Sequence, residues 1–175
     1  MSQKGFDLRA AGAAVASVFD WLQGDWAFIR EIPGYASVRG EAIIAPAGDD
    51  AARYQETAQV TLVQGGTLRA TQCYLHRRLQ PPANGIEVRF CETGELFELL
   101  EFHALSDGAL EARAQYVCAA DVYESVFTVR GERLQVEHIV RGPKKNYRAV
   151  TTYRRMSRNR VSAGTRGVGA DRYNP

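Results

Sequence analysis

The sequence predicts an all-β fold: an antiparallel up-and-down β-barrel of about ten strands, preceded by one α-helix. Three observations predict it. After Gly24 the spacing of apolar residues changes from a helical period to strict alternation. The alternating runs that follow are each bounded by Gly, Pro, Asn or Asp, the residues of tight turns. The connections are too short for crossover helices, so neighbours in sequence must pair as hairpins. A meander of this length has two open edges unless it closes on itself.

Residues 6–23 read as the helix. Val15, Val18, Phe19 and Leu22 fall at i, i+3, i+4 and i+7, a single apolar stripe. Asp7 is placed to cap its start and Gly24 to end it. The polar first residues and the absence of a Leu-rich stretch read as a helix rather than a secretory signal. The expected strands are residues 26–32, 38–45, 53–62, 67–79, 86–90, 96–102, 110–118, 122–129, 134–140 and 146–155. Between them stand Pro33-Gly34, Gly65-Gly66, Thr93-Gly94, Gly131-Glu132, Gly142-Pro143 and similar turn pairs. The expected organisation is a helix over residues 1–23 packing on the barrel, a barrel over 24–155, and a disordered basic tail over 156–175. That tail sets Arg158, Arg160, Arg166 and Arg172 against one acid, Asp171, among small residues.

A chain of 175 residues with 45% apolar and 24% charged residues suits one domain with a self-sufficient core. The net charge of +2 gives no electrostatic case for a nucleic-acid partner, and no apolar run is long enough for a membrane span. Arg69, Arg77, Arg78 and Arg89 are scattered among acids without a ladder of stacking aromatics. Cys73, Cys91 and Cys118 are odd in number and show no CxxC, so reduced thiols in or near the barrel wall and a cytoplasmic setting are expected. His76, His103 and His138 show neither HxH nor HExxH spacing, so no metal site is expected, and no cofactor is assigned.

Alternation assigns faces. Trp26, at the chain's entry from helix to wall, is expected to point inward, which carries Phe28 and Arg30 inward with it. A buried arginine needs a partner, and Glu56, with Tyr54 beside it, is the candidate. The same parity puts Gln72 with Tyr74, opens the eighth strand on Tyr123, and sets His138 beside Val136 and Val140. On the last strand Tyr147, Ala149, Thr151 and Tyr153 share one face. Glu56 with Glu98 or Glu101 would make a carboxylate pair, but spacing does not support one.

Three segments together resemble a known family. They are Leu22-Gln23-Gly24-Asp25-Trp26 with Arg30 behind it; Tyr116-Val117-Cys118-Ala119-Ala120-Asp121-Val122-Tyr123; and Arg141-Gly142-Pro143-Lys144-Lys145-Asn146-Tyr147 followed by Thr152-Tyr153-Arg154-Arg155. Over about residues 18–155 the chain resembles the domain-of-unknown-function 6314 family. The Gly-x-Trp start and the late arginine are also similar to the calycin (lipocalin and fatty-acid-binding-protein) pattern. That similarity implies a Trp26 at the barrel base with Arg154 or Arg155 across its ring, Arg154 being the assignment made, and a calycin-like barrel.

The function expected is non-catalytic binding of a small, largely apolar ligand with a polar or acidic head. Arg30, Tyr54, Glu56, Gln72, Tyr74, Tyr123 and His138 would line the interior, and Lys144 and Lys145 would guard the mouth. The alternative is an enzyme (a lyase, isomerase or hydrolase) using Arg30, Tyr54 and Glu56 as an acid–base cluster. A third is an interaction module working through the tail or an exposed strand.

Overall fold

The computed structural model describes residues 14–80 and 85–156, with side chains from Val18 onward. The helical reading of residues 6–13, residues 81–84 of one expected turn and the tail from residue 157 lie outside the described residues. Helix α1 (Ala14–Leu22) leads into β1 (Gly24–Ile32), β2 (Ala36–Pro46), β3 (Ala51–Leu62), β4 (Thr67–Arg78), β5 (Gly85–Phe90) and β6 (Leu96–Glu101). The chain continues through β7 (His103–Ala104), β8 (Leu110–Cys118), β9 (Asp121–Arg130), β10 (Arg133–Arg141) and β11 (Asn146–Arg155).

The strands form one antiparallel sheet in the order β6-β5-β4-β3-β2-β1-β11-β10-β9-β8-β7. First and last strands pair, Trp26 opposite Arg155 and Phe28 opposite Tyr153, which converts the meander into a barrel. Strands β6 and β8 lie side by side without a ladder, so the wall is nearly closed. The strand beyond the ten expected is the two-residue β7. After the buried Phe102, His103 and Ala104 leave the line of β6 and pair with Glu111 and Leu110 of β8.

Turn chemistry divides the barrel's ends. The turns after β1, β3, β5, β8 and β10 gather at one end, which we call the mouth. At the other end, the base, α1 buries Val18, Phe19 and Leu22 against the core. Arg78 fastens α1 there, its Nη2 2.6 Å from Asp20 Oδ1 and its guanidinium 4.5 Å above the Phe19 ring. Alternation along the wall is plain in β3, where Ala52, Tyr54, Glu56 and Ala58 are buried and the intervening residues exposed. Each fully buried Leu, Ile or Phe here contributes about 1.5–3 kcal/mol of apolar transfer energy.

The cysteine expectation is corrected. Cys73 and Cys91 form a disulfide across β4 and the end of β5, their Cα atoms 5.7 Å apart. Tyr74 and Phe90 are ladder partners, so the next position along the pair brings these two cysteines face to face. The 18-residue separation hides that proximity until the hairpin register is known. Cys118 is free and exposed.

Candidate functional site

At the base Trp26 is fully buried, and its Nε1 donates to the Leu22 carbonyl at 2.8 Å, satisfying its one donor. The guanidinium over the indole belongs to Arg155, not Arg154. It lies 4.2 Å from the Trp26 ring centroid and 5.1 Å from that of Trp21, and donates to the Gln23 carbonyl. Parity is the reason: on β11 Tyr153 points inward, Arg154 points to solvent, and Arg155 at the strand's end curls under the base. Gly24 makes room, since it adopts φ +125° and a Cβ there would stand 2.7 Å from the Arg155 Nη1. We expect Arg155→Ala to cost about 1–2 kcal/mol and Arg154→Ala less than about 0.5 kcal/mol, measured by urea unfolding.

Above the base the barrel holds a cavity of about 270 Å³. Its wall is largely apolar, with Ile44, Ile86, Val88, Phe127 and Val136 among the lining residues. One polar network spans it, with Glu56, Thr151, Tyr54 and Tyr153 buried and Arg30 half-buried. Arg30 donates through Nη1 to Glu56 Oε1 at 3.0 Å, through Nη2 to Glu56 Oε2 at 2.9 Å, and through Nε to Thr151 Oγ1 at 2.9 Å. The Tyr54 hydroxyl donates to Glu56 Oε2 at 2.5 Å and meets the Tyr153 hydroxyl at 3.0 Å. Burial is the largest influence on Arg30 and opposes its charge, but the Glu56 hydrogen bonds together with the electrostatic effects of Tyr153, Glu56 and Tyr54 outweigh it and hold the guanidinium above its ordinary pKa. Burial likewise pushes the Tyr54 and Tyr153 hydroxyls up, so both stay protonated.

A second polar group centres on Glu98, which the sequence raises only as a carboxylate partner for Glu56 that spacing does not support. Glu98 is 3% exposed and lines the same cavity from β6. The Ser125 hydroxyl donates to its Oε1, and burial raises its pKa to about 7. His138 Nε2 stands 4.0 Å from the same oxygen. Burial lowers His138 to about 4, so around neutral pH the imidazole is uncharged and the contact is polar rather than ionic. His76, buried and stacked on Tyr54 at 5.8 Å, is held down to about 4 in the same way.

An irregularity in the ladder positions Glu98. Val88 faces Glu98, yet the next residue, Arg89, faces Leu96, so Phe97 is an extra residue in β6. The bulge turns both Phe97 and Glu98 toward the cavity. Phe97 stacks on Tyr74 with ring centroids 5.4 Å apart and planes 5° from parallel. Tyr116 stands edge-on to Phe97 at 5.1 Å, and Tyr123 follows at 6.1 Å from Tyr116, carrying the aromatic chain toward the mouth.

Of the residues expected inside, Arg30, Tyr54, Glu56, Gln72, Tyr74, Tyr123 and His138 all border the cavity. Gln72, itself exposed, bonds the Tyr74 hydroxyl. The lysines do not border it. Lys144 is exposed. Lys145 donates to the Tyr123 hydroxyl at 2.9 Å and lies 2.9 Å from Asp121 Oδ2, partners that hold its pKa above the ordinary lysine value. Asp121 also fits against Gly142, where a Cβ would stand 1.8 Å from Oδ1. The Cys-x-x-Asp-x-Tyr and Gly-Pro-Lys-Lys segments thus meet side by side at the mouth. The sequence reading does not count His76, Ser125, Thr151 or Tyr153 in the lining, although it sets the last two on one face with Tyr147 and Ala149.

A nearly closed antiparallel barrel, capped at its base by a helix and hollow above it, defines the class of protein. The chain matches, over residues 22–155, the family described as Family of unknown function (DUF6314), and it belongs to that family. No curated protein matches it. Among solved structures it is similar to a redesigned β-barrel, mFAP1, bound to DFHBI, at 12% identity and TM-score 0.39, covering 78% of this chain and 97% of that one. EF1p2_mFAP2b bound to DFHBI matches at 10% identity and TM-score 0.41, covering 81% and 99%. Fatty-acid-binding protein 1 of Echinococcus granulosus matches at 11% identity and TM-score 0.35, covering 79% and 99%. Among the described residues no cluster of His, Cys, Asp and Glu could hold a metal ion, and no helix is long and apolar enough to cross a membrane.

Proposed function

We propose that the barrel over residues 24–155 binds a small molecule with a largely apolar body and a polar head, without transforming it. The observation that carries this reading is the cavity of about 270 Å³, just below the roughly 300–1,000 Å³ typical of small-molecule sites and so sized for a small ligand. Its apolar wall with a few buried polar groups is the usual lining of such a site.

The acidic head expected from the sequence loses its support. Arg30 places its Nε, Nη1 and Nη2 on Thr151 and Glu56, leaving no uncompensated positive charge for a ligand carboxylate. The same engagement argues against the enzyme reading, because both oxygens of Glu56 are held by Arg30 and Tyr54. The cytoplasmic setting rested on reduced thiols; with the Cys73–Cys91 bond that ground is gone, and the proposal carries no compartment.

The neutral fluorophore 1-aminoanthracene tests the reading. Its fluorescence should rise on titration with the protein. Ala149→Trp, which builds a ring into the cavity from β11, should weaken binding by roughly tenfold or more. Equal binding by the variant would place the probe elsewhere and end the proposal.

A further inference from the structure

Charge inside the barrel is uneven. Arg30 and Glu56 compensate one another through two hydrogen bonds. Glu98 has no such partner: among the described residues the hydrogen bond it receives comes from the neutral Ser125 hydroxyl, on Oε1. Among the described residues the only basic group within 4.0 Å is the His138 imidazole, which burial keeps neutral. Ala114, Ser125's ladder partner on the intervening β8, contributes a methyl and no charge. A carboxyl 97% removed from solvent, facing a cavity and lacking a cation, is costly when ionised. Such a group is retained at least expense where a ligand supplies the missing charge.

The surroundings suit a cation as well. The Phe97 and Tyr74 rings lie beside Glu98 in the wall, and Phe127 and Tyr123 line the cavity from β9. Ring faces attract a cation, most strongly where it is out of water. We infer that the ligand of this cavity carries a positively charged amine head, with Glu98 as its counter-carboxylate and the rings of Tyr74, Phe97 and Phe127 around it. This rests on the proposed binding role and narrows it to one ligand class. The apolar body would then extend toward Val136 and the base, where the wall carries no charge.

Three probes of one shape test it by titration calorimetry: 4-phenylbutylamine, 4-phenylbutan-1-ol and 4-phenylbutanoate. The amine should bind roughly tenfold tighter than the alcohol, and the carboxylate weakest. Glu98→Gln, which keeps an acceptor for Ser125, should bring the amine's affinity down to within about twofold of the alcohol's, with an unchanged circular-dichroism spectrum and a cooperative unfolding transition certifying that the variant is folded. An amine preference that survives Glu98→Gln, or a carboxylate that binds tightest, overturns the inference and leaves the binding role standing. If none of the three binds, the binding role falls and the inference with it.

Discussion

Replacing Arg30 with Met is expected to destabilise the protein by about 3–5 kcal/mol, the loss typical of breaking one side of a buried ion pair. Glu56 is 5% exposed and receives two guanidinium hydrogen bonds, so the variant would bury a carboxylate with only Tyr54 as donor. Methionine fills similar volume and adds no cavity, so the loss reports charge rather than packing. The companion variant Arg30→Met/Glu56→Gln should recover most of it, within about 2 kcal/mol of the parent, since the substituted amide carries no charge and its oxygen still accepts from Tyr54. A double-mutant cycle in urea unfolding measures both. If Arg30→Met alone costs less than about 1 kcal/mol, water reaches Glu56 freely and the network is a surface pair.

Much of this network was legible in the sequence because a barrel wall obeys a two-residue rule. Once Trp26 is fixed inward, Arg30 follows by parity, and an inward Arg calls for an acid on a neighbouring strand. Two kinds of feature escaped that rule. Glu98 sits beside a bulge, and an extra residue breaks parity locally, so strict alternation places Phe97 on the outer face although it lines the cavity. The disulfide and the Arg155–Trp26 contact depend on strand register and on how the last side chain of β11 bends under the base, neither of which composition reveals. The Gly-Pro-Lys-Lys turn suggested a charged rim by its residue types. Its lysine is instead held by Asp121 at the start of β9, a partner 24 positions away whose approach is set by the β9–β10 register, in which Val122 faces Arg141.

The buried titratable groups also dictate how stability should vary with pH, and they act in opposite directions. His76 and His138 titrate near 6.5 when unfolded and near 4 when folded. Between those values the unfolded chain holds more protons, so stability rises with pH, by up to about 3 kcal/mol per histidine. Glu98 titrates near 4.5 unfolded and about 7 folded. The folded protein therefore holds the extra proton in that window, and the contribution present below pH 4.5 is lost as pH rises through 7, again by up to about 3 kcal/mol. The two histidines outweigh the one carboxyl up to about pH 7, where the opposing terms balance. Stability should therefore climb from pH 4, level off near pH 7 and change little above it. Glu98→Gln separates the terms. The variant should match the parent near pH 4, where the carboxyl is protonated in both states, and exceed it by about 3 kcal/mol at pH 8, where the parent buries a carboxylate without a cation. Unfolding free energies at pH 4, 6.5 and 8 for both proteins decide it. A constant difference across that range would mean that Glu98 is ionised throughout, and a variant weaker at pH 8 would mean that its carboxylate already has a compensating charge inside the barrel.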